Sequence, residues 1–236
     1  MRAQPSDDLR EGGLPAFAAR LRDVFGWPTR RQSMDVASRF SVLRTRLMQE
    51  MGRQGWKRLG VCPMTDGAGA TYVAANLALA TARMPHHEVL LVDLALGNPA
   101  LAVQLGLQGD PRFVPYLMAQ DIKPADFMIR IESQGRLSCC LPDGPVDGGA
   151  ELLQDELARE RIGQLVTESQ CDLAIFDLGP VLGTDEGLAA LPAMDAVLLV
   201  ADGMSGTGRN VADCQRLLAD MPPLLGVVLN KAEIVE

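Results

Sequence analysis

Lysine is nearly absent from this chain. Among 236 residues and 22 cationic side chains, only Lys57, Lys123 and Lys231 are lysines. Tyrosine is scarcer still, at Tyr72 and Tyr116. A net charge of −8, with a pI near 4.9, excludes a nucleic-acid surface, because neutralising phosphates needs clustered Lys and Arg. No apolar run approaches the roughly 18–20 residues of a membrane span, and MRAQPSDDLREGG lacks the apolar core of a secretory signal. These absences point to a cytoplasmic chain. Five cysteines, an odd number without paired spacing, read as packing residues in a reducing compartment and not as a zinc site. His86 and His87 have no second ligand at helical spacing and read as loop.

What is present is an alternation of apolar runs and helical patterns. With 47% hydrophobic and 22% charged residues, the chain has enough apolar side chain for one full core. Strands are expected at 58–62, 88–93, 137–141, 172–177, 195–201 and 224–230, and helices at 34–52, 71–84, 151–168 and 208–220. Continuous apolar strands separated by helices predict an α/β fold with a mostly parallel sheet flanked by helices. In such a sheet the ligand site lies at the carboxyl ends of the strands, where the loops after Cys62, Asp93 and Asp177 converge. The α/β domain is expected over 34–236, preceded by a polar tail over 1–33. Within that tail Leu14, Phe17, Leu21 and Val24 or Phe25 share one stripe of a possible amphipathic helix at 14–27. That stripe reads either as packing on the domain or as docking on a partner or membrane surface.

Residues 61–78, VCPMTDGAGATYVAANLA, have the form of a phosphate-binding loop entering a helix. The working pattern GxxxxGK[ST] cradles phosphate on backbone N–H groups, reaches the outer phosphates with its lysine and binds Mg²⁺ through its hydroxyl. Here Gly67, Ala68, Gly69 and Thr71 keep the shape, but Ala70 stands where the lysine belongs and Met64 replaces the first glycine. Asp66 adds a carboxylate that repels phosphate. The glycines are equally explained by a strand-to-helix turn, Thr71 by an N-terminal helix cap, and Asp177 by capping the turn that follows it. Asn230 and Lys231 are similar to the start of a base-reading NKxD, but Ala232 and Glu233 follow, so they read as plain loop.

Six landmarks together resemble one family. They are LRTRL at 43–47, the glycine loop ending in AANLALA, LLVD ending at Asp93 followed by NPAL, AELLQ at 150–154, AIFDLGPVL at 174–182 and GVVLNK at 226–231. Their order and spacing resemble the bacterial tyrosine autokinases of exopolysaccharide synthesis over residues 36–231. The resemblance implies the P-loop NTPase fold shared with ParA and MinD. It also implies a Mg²⁺ and phosphate site made by the loop lysine and hydroxyl, an Asp-x-Asp-x-Arg and a DxxP.

This chain departs from that pattern repeatedly. Ala70 replaces the lysine, and Thr65 stands where the ParA branch has its own signature lysine. Ala95 and Gly97 replace the second Asp and the Arg after Asp93, whereas Asp177 and Pro180 are retained. The tyrosine cluster is missing, and Ser38, Ser41 and Arg44 stand in the family's ring-forming Glu-x-x-Arg-x-x-Arg. Losing the lysine and a carboxylate removes roughly three to five orders of magnitude of phosphoryl-transfer rate. The resemblance therefore implies a non-catalytic relative with no required cofactor. Its loop residues, Asp93 and Asp177 would be vestigial, with Thr71, Asp93 and Asp177 as metal ligands only if Mg²⁺ is bound. The implied partner is the cytoplasmic end of a membrane polysaccharide co-polymerase, with an active kinase homologue as another. One alternative is weak ATP or ADP binding with Mg²⁺ by a residual ATPase or kinase that a partner completes. The other is a degenerate MinD-like positioning protein.

Overall fold

Alternation of apolar side chains to two faces is what builds the sheet. In the computed structural model, which describes residues 30–131 and 136–232, seven strands form one sheet. They are β1 (Arg58–Pro63), β2 (Val89–Asp93), β3 (Ile129–Ile131), β4 (Leu137–Cys140), β5 (Leu173–Asp177), β6 (Ala196–Asp202) and β7 (Leu224–Asn230). The order is β3-β4-β2-β5-β1-β6-β7, parallel throughout except for β3 against β4. Val89, Leu91, Leu173, Ile175, Leu198 and Val200 enter the core on one face, while Leu90, Val92, Ala174, Phe176, Val197 and Leu199 enter that on the other. Because both faces are buried, the strands read as unbroken apolar runs.

One face is covered by α1 (Arg30–Gln54) and α2 (Ala70–Ala82). At the rim of that same face lies α3 (Leu101–Leu105), and the other face is covered by α4 (Phe113–Leu117), α5 (Pro124–Phe127), α6 (Gly149–Gln154), α7 (Glu156–Ser169), α8 (Glu186–Ala190) and α9 (Gly208–Leu217). The helix expected at 151–168 is two. Asp155 ends α6 in an extended conformation and caps α7, its carboxylate accepting the Leu157 N–H at 2.9 Å. That side-chain cap competes with helix continuation. The antiparallel edge strand β3 was not expected, since three residues leave almost no period to read. α1 begins four residues before the domain start placed at 34. The amphipathic stripe at 14–27 lies outside the described residues. No helix among the described residues is long and apolar enough to cross a membrane.

Candidate functional site: a phosphate-type loop held by side chains

The three loops expected to converge do so. β2, β5 and β1 are adjacent, and the register pairs Asp93 with Asp177 and Asp177 with Val61, so both aspartates stand side by side at the carboxyl ends. Between β1 and α2 the chain curves through Gly67 (φ 75°) and Gly69 (φ 88°), left-handed positions that favour glycine. Gly69 is the N-cap of α2, and no side chain caps that terminus. The reading of Thr71 as the cap is therefore corrected: the left-handed Gly69 occupies that position.

The loop is bound on both sides by its own chain. The Asp66 carboxylate accepts the Gly67 N–H at 2.9 Å. From the end of β7, the Asn230 amide donates to Ala68 O at 3.0 Å and the Lys231 ammonium donates to Gly67 O at 2.7 Å. Lys231, at φ 57°, also pairs with Asp202 at 3.0 Å. A Cβ on residue 69 would sit 2.3 Å from the Asn230 amide nitrogen and would push that side chain off the loop, while the φ of 88° strains any other residue at this position. The plain-loop reading of Asn230 and Lys231 is thus overturned. The signal that could have found them was the closing NK of β7, since the end of an outer strand lies within a side chain's reach of the loop after β1.

Asp93 is fully buried and is committed to backbone. Its Oδ1 accepts the Ala95 N–H at 3.1 Å, and its Oδ2 accepts those of Ala100 at 3.1 Å and Leu101 at 2.9 Å, fixing the loop into α3. Burial, offset by these bonds and aided by nearby Glu186, pushes its carboxyl up to about 7. Asp177 caps nothing, contrary to the capping reading: both carboxylate oxygens are buried without a hydrogen-bond partner. Burial and the adjacent Asp93 drive it well above the carboxylate range. The Thr71 hydroxyl faces it and favours the charged form, although no hydrogen-bond geometry is met. Glu186 was missed in the sequence. Its Oε1 accepts the Gly97 N–H at 2.5 Å, and a Cβ on Gly97 would stand 3.3 Å from its Oε2. The carboxylate leans against the position that the kinase pattern gives to arginine.

A magnesium nucleotide fits this arrangement poorly. In its favour, the first turn of α2 is uncapped and the orphaned Asp177 faces Thr71, a polar site for a cation. Against it, Ala70 has no charge to offer, Asp66 already takes a loop N–H, and Asp93 is engaged three times by backbone.

Of the three residues at the ring-forming positions, Ser38 is exposed, whereas Ser41 and Arg44 bond within the chain. Ser41 Oγ donates to Ala37 O within α1 at 2.9 Å, and Arg44 donates to Ala80 O at the end of α2 at 3.0 Å. Tyr116 is buried with its hydroxyl donating to Arg161 O at 2.9 Å, and Tyr72 is half-buried.

No protein-family model matches the sequence, and no curated protein matches it. Solved structures do match the fold. The VpsO kinase domain superposes with a TM-score of 0.73 at 22% identity, covering 87% of this chain and all of that one. The kinase domain of the Escherichia coli tyrosine kinase Etk gives 0.68 at 24% identity, covering 85% and 78%. A ParA family ATPase from Chlorobium tepidum gives 0.60 at 21%, covering 77% and 76%. The chain thus has the ParA/MinD-like P-loop fold seen in bacterial tyrosine kinase domains.

Proposed function

We propose that this chain is a tyrosine-kinase-like P-loop domain that no longer transfers phosphate and serves as a non-catalytic partner in exopolysaccharide synthesis or export. The observation that carries the reading is the loop itself. Ala70 removes the charge that neutralises a transferring phosphoryl group, and Asp66 places a carboxylate on an N–H that would hold a phosphate oxygen. Both tyrosines sit in packed positions, which supports the absence of autophosphorylation. The fold neighbours include kinase domains, and the sequence resemblance points to the cytoplasmic end of a membrane polysaccharide co-polymerase as the partner, with recruitment to the inner face of the membrane following from that contact.

Calorimetric titration with Mg-ATP or Mg-ADP tests the reading. Dissociation constants no tighter than high micromolar are expected, with no phosphotyrosine formed on incubation with ATP. Sub-micromolar affinity would overturn it. A second reading, residual nucleotide binding completed by a partner's lysine or arginine, is favoured by the orphaned Asp177 facing Thr71. It requires that nucleotide affinity appear when the partner is added.

A further inference from the structure

We propose that the free edge of β7 pairs with the same edge of a second copy of this chain, antiparallel about a two-fold axis, joining two sheets into one. The proposal is independent of the non-catalytic reading, since it uses neither the phosphate-type loop nor the aspartates beside it.

The two ends of the sheet are finished differently. At one end β3 has three residues, runs antiparallel to β4 and carries Arg130, which pairs with Glu88 at 3.5 Å. A short edge strand bearing a charge discourages further pairing. At the other end β7 has seven residues, LLGVVLN, with neither charge nor proline, and among the described residues no strand pairs with its outer side.

Backbone direction fixes what that outer side offers. The Gly203 N–H donates to Asn230 O at 2.7 Å, and Asn230 is the register partner of Asp202, so the N–H and C=O of Asn230 point at β6. By the two-residue period of a strand those of Gly226 and Val228 do the same, and those of Val227 and Leu229 point outward. The side chains of these two residues are also on offer. They lie on the face of Leu199 and Ala201, their register partners in the core of β6, and α9 sends Val211, Cys214 and Leu218 into that core without covering β7. Val227 is left 44% exposed and Leu229 61%. Past β7 the chain turns at the left-handed Lys231, and Ala232 Cα stands 2.8 Å from where a Cβ on Gly203 would be. The described chain thus leaves toward the end of β6 and does not return along the free edge.

A second copy suits this edge on two grounds. The first is charge: chains of net charge −8 repel one another, whereas residues 224–230 carry no charge and allow like copies to approach. The second is self-complementarity. Antiparallel pairing closed by a two-fold axis sets Val227 opposite Leu229 of the second copy and Leu229 opposite its Val227, each such pair exchanging both of its hydrogen bonds. The four apolar side chains then meet on one face as cross-strand neighbours. Opposed strands send the two phosphate-type loops to opposite ends of the joined sheet, so each stays open to a partner. The contact is small, and a contact of that size gives a weak, concentration-dependent dimer.

Hydrogen exchange on the full chain, at low and at high micromolar concentration, tests this. The amides of Val227 and Leu229 are expected to exchange fast in dilute solution and about tenfold slower where sedimentation shows dimer, the effect of one good hydrogen bond at each. Those of Val228 and Asn230, which face β6, should be protected at both concentrations. Leu229→Lys alters an exposed side chain, so it should leave the melting temperature in place while abolishing the dimer and the concentration dependence. If it fails to fold, Val227→Lys makes the same test, and the wild-type exchange needs no variant. A chain that sediments as a monomer throughout, a dimer in which the Val227 and Leu229 amides stay fast, or a dimer unmoved by either folded variant overturns the proposal. Slow exchange of the two amides at every concentration overturns it as well, and if deletion of residues 1–29 then makes them fast, the occupant of the edge is the chain's own amino-terminal segment.

Discussion

Two neighbouring aspartates differ in what they do, and their substitutions should move stability in opposite directions. Asp93 accepts three backbone N–H groups, so Asp93→Ala orphans those donors and should cost roughly 2–5 kcal/mol, seen as a lower denaturation midpoint. Asp177 accepts none and is buried beside another carboxylate. Both have folded pKa values raised above that of an unfolded aspartate, so the folded state binds protons more readily than the unfolded chain. By linkage, stability falls as pH rises from about 4, with the Asp93 contribution complete near 7. Asp177→Asn should therefore raise Tm by about 2–6 °C near pH 8 and flatten the decline between acid and neutral pH. A lowered Tm near pH 8 would show that the carboxylate is stabilising as it stands.

At the scale of elements, α1 and α2 take up within the chain two residues, Ser41 and Arg44, that stand at ring-forming positions of the resembled pattern. Arg44 reaches across to Ala80 O, a carbonyl in the last turn of α2, where a cation is favourable, and so it is not presented to a neighbouring copy. Ser41 is satisfied inside its own helix. The chain should scatter light as a monomer or dimer across micromolar concentrations, and a nucleotide-independent ring would contradict this. The short helices on the opposite face have a different logic. Phe113, Tyr116 and Phe127 form one aromatic cluster, with ring centroids 5.1–5.5 Å apart, and each lies on or at the end of a helix of five residues or fewer. Their packing, worth roughly 1.5–3 kcal/mol per buried ring, holds segments too short to be helical alone.

Across the whole molecule the five thiols behave as core. Cys62, Cys139, Cys140, Cys171 and Cys214 are all buried and unpaired, and burial raises each, Cys139 to about 12 and Cys214 to about 11. The thiolate is the reactive form, so none should react with a disulfide reagent in the native state and all five should react after denaturation. Rapid labelling of the native chain would reveal an opening that the packing does not show.

Six of the seven strands were legible because burial on both faces leaves unbroken apolar runs such as VLLVD and LAIFD, bounded by polar turns. The strand-ends that form the site followed from that topology, since parallel strands send their carboxyl ends to one rim. Ala70 in place of lysine needed no structure at all, being a statement about which charge is available. Tertiary structure alone decided which groups meet. Asn230 and Lys231 lie more than 160 residues from the loop they hold, Glu186 is 89 residues from Gly97, and Arg44 is 36 from Ala80. A period or a motif encodes what a residue's neighbours along the chain require of it. The choice between a free carboxylate at Asp177 and a committed one at Asp93 depends on which backbone donors come within hydrogen-bond reach, 2.9–3.1 Å at Asp93, and that distance is fixed only when the strands align.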